Sequence, residues 1–216
     1  MRDSNALRQS IIDGCLWMQT SGLNQGTSGN ISLRVGDGML ITPSAVAYDK
    51  MTPDMIVHMP LDTSPTADQN PSTEWPFHQA ALKARPDMTA VVHAHPAHAT
   101  AVAIQRRAIP AVHYMVAAFG GTDVPCTGYA RFGSEALSDM VAAALQSRHG
   151  CLMANHGALA LGETLDKALW RMQELETLAR VMLLSETSGT PVLLSDDEIA
   201  ETLTAFQDYG LKVTND

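Results

Sequence analysis

Apolar residues recur at helical spacing over residues 5–20 (Ala6, Leu7, Ile11, Ile12, Cys15, Leu16), which predicts an amphipathic helix closed near Gly22. A polar, glycine-bearing loop over 24–30 follows. The strand Ile31–Arg34, the turn Gly36-Asp-Gly38 and the strand Met39–Thr42 then read as a hairpin. Pro60 to Pro71 is a polar surface loop rather than a linker, because the apolar pattern resumes at once. Residues 72–84 predict a helix that Ser72 or Thr73 can cap, with Glu74 and Pro76 in its first turn. Thr89–Pro96 has strand composition, and a short helix follows over 97–105. Residues 109–132 are broken up by Pro and Gly and give no clear element. Beyond them the pattern predicts a helix over 134–147, a buried strand over 150–154, the turn Asn155-His-Gly157 and a strand over 158–161. A long helix over 164–186 carries Leu165, Leu169, Met172, Leu175 and Met182 on one stripe, and a last helix starts at Ser195. Strands and helices alternate without a βαβ rhythm, so a mixed or mainly antiparallel sheet flanked by helices is expected.

The chain has 216 residues, enough for one large domain or two small ones. Its 45% hydrophobic and 17% charged content is that of a soluble globular protein. No apolar run approaches the ~20 residues of a membrane-spanning helix. The N-terminus shows no signal-peptide pattern. Cys15, Cys126 and Cys151 are odd in number and fit neither a disulfide framework nor a Cys-x-x-Cys site, so a reducing cytoplasm is expected. A net charge of -9 without a Lys/Arg cluster speaks against nucleic acid as a partner. It would also weakly repel an anionic small molecule, so binding one requires a local device.

Such a device is visible, next to candidate metal chemistry. Val91, His93 and His95 alternate along one strand, so both imidazoles share a face, and Pro96 ends the strand where a site can open. The pair reads either as the start of a divalent-metal site or as two ordinary strand histidines. His156 follows an apolar strand and precedes Gly157; it is a third ligand leaving an open coordination position, or a turn histidine. Glu74 is a fourth ligand, or an acid that complements a helix N-terminus. His58, His78, His98, His113 and His149 are left to surface, packing or supporting roles. The loop Gly26-Thr-Ser-Gly-Asn30 can aim backbone N–H groups and the side chains of Thr27, Ser28 and Asn30 at an anion, and it lacks the Gly-Lys-Ser/Thr of a P-loop. Thr42-Pro-Ser44 and Ser72-Thr73 are further hydroxyl-rich turns.

Taken together, the segments Gly22-Leu-Asn-Gln-Gly-Thr-Ser-Gly-Asn30, Met39-Leu-Ile-Thr-Pro-Ser44, Ser72-Thr-Glu-Trp-Pro-Phe-His78, Ala90-Val-Val-His-Ala-His95, Ile109-Pro-Ala-Val-His-Tyr-Met115 and Asn155-His-Gly157 resemble the class II aldolase/adducin family, in order and over nearly the whole chain. The resemblance implies one three-layer α/β/α domain over residues 1–216, with a mixed, mostly antiparallel central sheet. It also implies a homotetramer with active sites between subunits. Carried over, His93, His95, His156 and Glu74 are zinc ligands, and Glu74 is also the acid/base. Thr27, Gly29, Asn30, Ser44, Ala45, Ser72 and Thr73 bind the substrate's phosphate. Tyr114 crosses the subunit interface to the aldehyde oxygen, while Phe132 and Tyr209 line the aldehyde side. The implied activity is zinc-dependent cleavage of a ketose 1-phosphate to dihydroxyacetone phosphate and a short aldehyde, with L-fuculose 1-phosphate or the 5-deoxyribulose and 5-methylthioribulose 1-phosphates of 5'-deoxynucleoside salvage as candidates. Relatives on this scaffold instead epimerise pentulose phosphates, dehydrate methylthioribulose 1-phosphate, or serve as non-enzymatic adducin-like modules; the Tyr114 motif favours the aldolase. One departure stands out. The family has Gly after Thr-Pro-Ser, where this chain has Ala45, and a methyl there strains the loop by ~1 kcal/mol if the backbone is left-handed.

Overall fold

The structure, a computed structural model, describes residues 2–206. In chain order the elements are α1 (Asn5–Thr20), β1 (Asn30–Val35), β2 (Gly38–Ile41), β3 (Val57–Pro60), α2 (Trp75–Ala84), β4 (Ala90–Ala94), α3 (Ala97–Ile104), β5 (Ile109–Pro110), β6 (Asp123–Val124), β7 (Cys126–Thr127), α4 (Glu135–Leu145), β8 (Gly150–Met153), β9 (Gly157–Gly162), α5 (Leu165–Glu186) and α6 (Asp196–Phe206). Helices α1, α4 and α5 begin where Ser4, Ser134 and Thr164 accept the N–H three residues on, at 3.2–3.3 Å. Each hydroxyl satisfies a donor that the helix cannot satisfy itself, a contribution of about 1 kcal/mol.

Seven strands form one sheet in the order β3-β2-β1-β4-β9-β8-β7. Every pair is antiparallel except β7–β8. β5 and β6 form a separate two-stranded sheet. The strand period of two divides the side chains between two cores. Val92, Leu33, Leu152 and Ala160 pack with residues of α1, α3 and α5. Val91, Ile41, Cys151 and Leu161 pack with residues of α2 and α4. The sheet is thus the middle of three α/β/α layers. Burial on both faces explains why β8 and β9 read as unbroken apolar runs rather than alternating ones.

Two expectations need correction. α2 starts at Trp75, and neither Ser72 nor Thr73 caps it. Glu74 itself occupies the N-cap position without a side-chain capping bond, because its carboxylate turns into the interior. β3 and the 3-10 turns at 48–50 and 53–55 were not expected. Residues 109–132, unassigned from sequence, hold β5, a 3-10 turn over Tyr114–Phe119, β6 and β7. Elements of two residues carry too short a pattern to be read locally.

Candidate active site

β1, β4 and β9 lie side by side, and their register brings the candidate chemistry together. His93 on β4 stands opposite Asn30 on β1 and Leu159 on β9. His95 follows the last residue of β4, and His156 sits in the turn that enters β9. The three imidazoles are arranged almost symmetrically: their ring centroids are 4.9, 4.9 and 5.0 Å apart and each pair is inclined by 71–72°. One nitrogen from each lies within 4.8 Å of the others. Glu74 closes the set, with Oε2 3.2 Å from His93 Nε2 and Oε1 3.0 Å from His156 Nε2. His95 Nε2 and His93 Nε2 are 3.0 Å apart.

The donor set fits a divalent cation. His93 Nδ1 donates to the Ala158 carbonyl at 2.9 Å, which fixes the tautomer and leaves Nε2 as a lone pair. That lone pair faces a second imidazole nitrogen and a carboxylate, which can only accept. Tetrahedral zinc with Zn–N near 2.0–2.1 Å places its ligand atoms about 3.3 Å apart. The observed edges of 3.0–3.2 Å match that spacing. Burial, together with its histidine neighbours, pushes His95 down to about 3, so it stays neutral and ready to ligate. Burial works to raise the Glu74 carboxyl, but the surrounding imidazoles of His93 and His156 and the Asn30 N–H prevail and hold it well below the usual carboxylate range.

A cleft of about 370 Å³ opens beside this cluster. Thr27, Gly29, Asn30, Ser44, Ala45, Ser72 and Thr73 line it together with Glu74, His95, His156 and Phe132. The hydroxyl-rich turns meet because their backbones pair: Ser44 N–H donates to Asn70 O at 3.0 Å and Ser72 N–H to Thr42 O at 2.8 Å. Among the described residues no Lys or Arg lines the cleft. An anion there would be held by hydroxyls and N–H groups alone. Ala45 has φ 56°, so the strained alternative raised by the sequence is the one adopted. Asn155, which also lines the cleft, has φ 55°. The side chain of Asn30 is committed inward: Nδ2 donates to Glu74 Oε2 at 2.8 Å and Oδ1 faces His78. An anion in the cleft would therefore meet the backbone of this residue.

Two candidates stand apart. Tyr114 is half-exposed on its 3-10 turn, against the rings of His113 and Phe206, and does not line this chain's cleft. Tyr209 lies outside the described residues. Two other side chains were assigned no role from the sequence. Buried Asn24 receives the His95 backbone N–H at 3.1 Å on Oδ1 and donates through Nδ2 to Tyr48 OH at 2.9 Å. Tyr48 in turn donates to the Gly29 carbonyl at 2.7 Å. Together they tie the cradle loop to the end of β4. Gly29 permits this closeness, since a Cβ there would stand 2.8 Å from both Asn24 Nδ2 and the His93 carbonyl.

The chain is similar to known proteins over nearly its whole length. Residues 9–183 match the family described as Class II Aldolase and Adducin N-terminal domain. The chain is 48% identical over 212 residues to the L-fuculose phosphate aldolase of Escherichia coli K12, covering 98% of this chain and 99% of that protein. It is also 48% identical over 207 residues to a 5-methylthioribulose-1-phosphate/5-deoxyribulose-1-phosphate aldolase of Escherichia coli O45:K1, covering 95% and 97%. A solved structure of an L-fuculose 1-phosphate aldolase superposes with a TM-score of 0.91 at 32% identity, over 95% of this chain and 98% of the other. No helix among the described residues is long and apolar enough to cross a membrane.

Proposed function

This chain belongs to the class II aldolase and adducin family, and from that premise we propose that it is a zinc-dependent lyase that cleaves a ketose 1-phosphate into dihydroxyacetone phosphate and a short aldehyde. It is a class II aldolase for substrates of the fuculose 1-phosphate or deoxyribulose 1-phosphate type. The observation that carries the finer reading is the near-threefold histidine set closed by a buried carboxylate at the mouth of a cleft lined with neutral donors.

His93, His95, His156 and Glu74 would hold the zinc. Bound there, it would supply Lewis acidity to the cleavage. The phosphate sits among Thr27, Gly29, Asn30, Ser44, Ala45, Ser72 and Thr73, contacts remote from the reacting carbons that orient the sugar. When the carbon–carbon bond breaks, its electron pair stays with the phosphorylated half. Glu74 moves the proton at that carbon. Tyr114, supplied by a neighbouring subunit of a homotetramer, handles the proton on the departing aldehyde's oxygen. The half-exposure of Tyr114 and its position outside its own chain's cleft support this reading. Phe132 and Tyr209 border the aldehyde. The protein works in the cytoplasm as one domain of this family, and the aldehyde pocket decides among L-fuculose, 5-deoxyribulose and 5-methylthioribulose 1-phosphates. Their difference is small, so discrimination of about 1–3 kcal/mol is expected.

The test combines elemental analysis with dihydroxyacetone phosphate release from these three sugars, compared by kcat/KM. Wild type should carry one zinc per subunit and turn over at least one of them. Glu74→Gln should retain the metal and lose about 10²- to 10⁴-fold in kcat. A metal-loaded Glu74→Gln enzyme with unchanged kcat would overturn the role of Glu74, and a zinc-loaded wild type inert toward all three sugars would overturn the activity.

A further inference from the structure

Behind Glu74 runs a chain of buried polar groups that the reaction outlined above does not use. Ser32 Oγ lies 2.8 Å from His78 Nδ1, His78 Nε2 meets Asn30 Oδ1, and Asn30 Nδ2 lies 2.8 Å from Glu74 Oε2. Ser32 and His78 are fully buried, and Asn30 and Glu74 nearly so. The strand period places Asn30 and Ser32 on the same face of β1, about 7 Å apart. His78 spans that gap with its two ring nitrogens. It lies one helical turn after Glu74, so α2 presents both side chains to the same strand.

The hydrogen bonds admit only one direction. The Glu74 carboxylate accepts and cannot donate, so the Asn30 amide must offer it an N–H. The Asn30 carbonyl oxygen then faces His78, whose Nε2 must carry the proton. His78 Nδ1 is left as a lone pair, and the Ser32 hydroxyl fills it. Phe77 stacks on the His78 ring at 5.0 Å and meets the His93 ring edge-on at 5.2 Å, which restrains both imidazoles. Reversing any link would set two acceptors against each other in a buried site, where an unmet polar group is costly.

We infer that His78 and Ser32 are positioning residues for Glu74: acting through Asn30, they hold the amide so that its N–H meets the carboxylate and keeps it oriented and able to return to one resting position. Were the amide to flip, an oxygen would stand 2.8 Å from Glu74 Oε2. Two acceptors would then face each other, and the carboxylate would have to leave that position. This inference rests on the proposed acid/base role of Glu74. It places the effect in turnover rather than in substrate binding, because neither Ser32 nor His78 lines the cleft.

Three variants and one spectrum test it. His78→Phe keeps the ring and its stacking but removes both hydrogen bonds. His78→Gln restores an amide N–H near the place of Nε2. Ser32→Ala removes the far end of the chain. Supporting groups of this kind are worth about 10- to 100-fold in activity. The expected result is that His78→Phe loses that much kcat with KM within about threefold and metal content unchanged, that His78→Gln recovers most of the loss, and that Ser32→Ala loses severalfold. Independently of activity, ¹⁵N spectra of histidine-labelled protein, with the His78 signal assigned by its absence in His78→Gln, should show a neutral Nε2–H tautomer with or without zinc. In Ser32→Ala the Nε2–H tautomer should persist, because Asn30 Oδ1 still accepts that proton, while the Nδ1 resonance should shift as its hydrogen bond is lost. An Nδ1–H tautomer in the wild type overturns the inference. So does a folded His78→Phe enzyme with full kcat per bound metal, or equal losses in His78→Phe and His78→Gln. If His78→Phe does not fold, Ser32→Ala and the spectrum decide. A wild type that releases no dihydroxyacetone phosphate refutes the activity and not the chain, which the tautomer still tests.

Discussion

Replacing Ala45 with glycine should stabilise the protein, whereas the same change two residues on, at Ala47, should destabilise it. Both alanines are exposed in one loop, so neither substitution opens a cavity. Ala45 has φ 56°, in the left-handed region, while Ala47 has φ -63° and ψ 139°, an extended conformation that any residue adopts. An L residue in the left-handed region carries about 1–2 kcal/mol of strain that glycine does not. Glycine also frees the unfolded chain, which costs about 0.5–1 kcal/mol at either position. The two effects oppose at 45, leaving a net gain of about 0.5 kcal/mol; at 47 only the loss remains. The two variants should therefore differ in sign and by about 1–2 kcal/mol. Near 1 kcal/mol corresponds to about 2–4 °C in Tm for a chain of this size. Urea unfolding at fixed protein concentration and saturating zinc would read the difference as opposite shifts in midpoint at a common m-value. If Ala45→Gly lowered the midpoint as much as Ala47→Gly does, the strain argument would be wrong.

Gly157→Ala should empty the metal site without unfolding the sheet. A Cβ at that position would stand 2.5 Å from His95 Cδ2 and 2.6 Å from the Ala94 carbonyl, so the His95 ring must move. Zinc content well below one per subunit with near-native circular dichroism is expected, and full occupancy would contradict it. Acid should destabilise the protein partly through His78. Burial, chiefly, pushes this histidine down from 6.5 to about 3, so the unfolded chain binds a proton below pH 6.5 that the folded chain refuses. Its contribution is complete above pH 6.5 and is lost as the pH falls toward 3. Between pH 8 and pH 5 the loss is about 2 kcal/mol. His78→Gln, which cannot titrate, should lack that part of the pH dependence in urea unfolding, and an unaltered pH slope would refute the assignment.

The fold was legible wherever a local pattern was long enough to repeat. The 22-residue helix α5 needed no tertiary information, whereas the caps at Ser4, Ser134 and Thr164 were not anticipated and the one expected at Ser72 or Thr73 does not form. The hairpin of β1 and β2 was equally plain from its Gly36-Asp-Gly38 turn. The short pairings β5–β6 and β7–β8 were not, since two residues carry no period and their partners are distant in sequence. In the site, the residue types and spacings of His93, His95, His156 and Glu74 were readable, but each also had an ordinary reading that only assembly removes. Tyr48 and Ser32 gave no usable signal, and Asn24 and His78, though within the family-like segments, were assigned no specific role. Each is a common polar residue whose importance comes from being buried against a particular neighbour.

The sequence by itself therefore determined the longer helices and strands and the inventory of candidate ligands, because helix and strand periods and metal-ligand chemistry are local properties. Only the tertiary structure decided that three imidazoles meet at nearly equal angles, that Glu74 leaves its helix cap to join them, and that Asn30 faces the carboxylate rather than the cleft. Those facts follow from register across β1, β4 and β9 and from the docking of α2. Directed hydrogen bonds among buried groups depend on which partners the fold brings within 3 Å, and no local pattern along the chain encodes that.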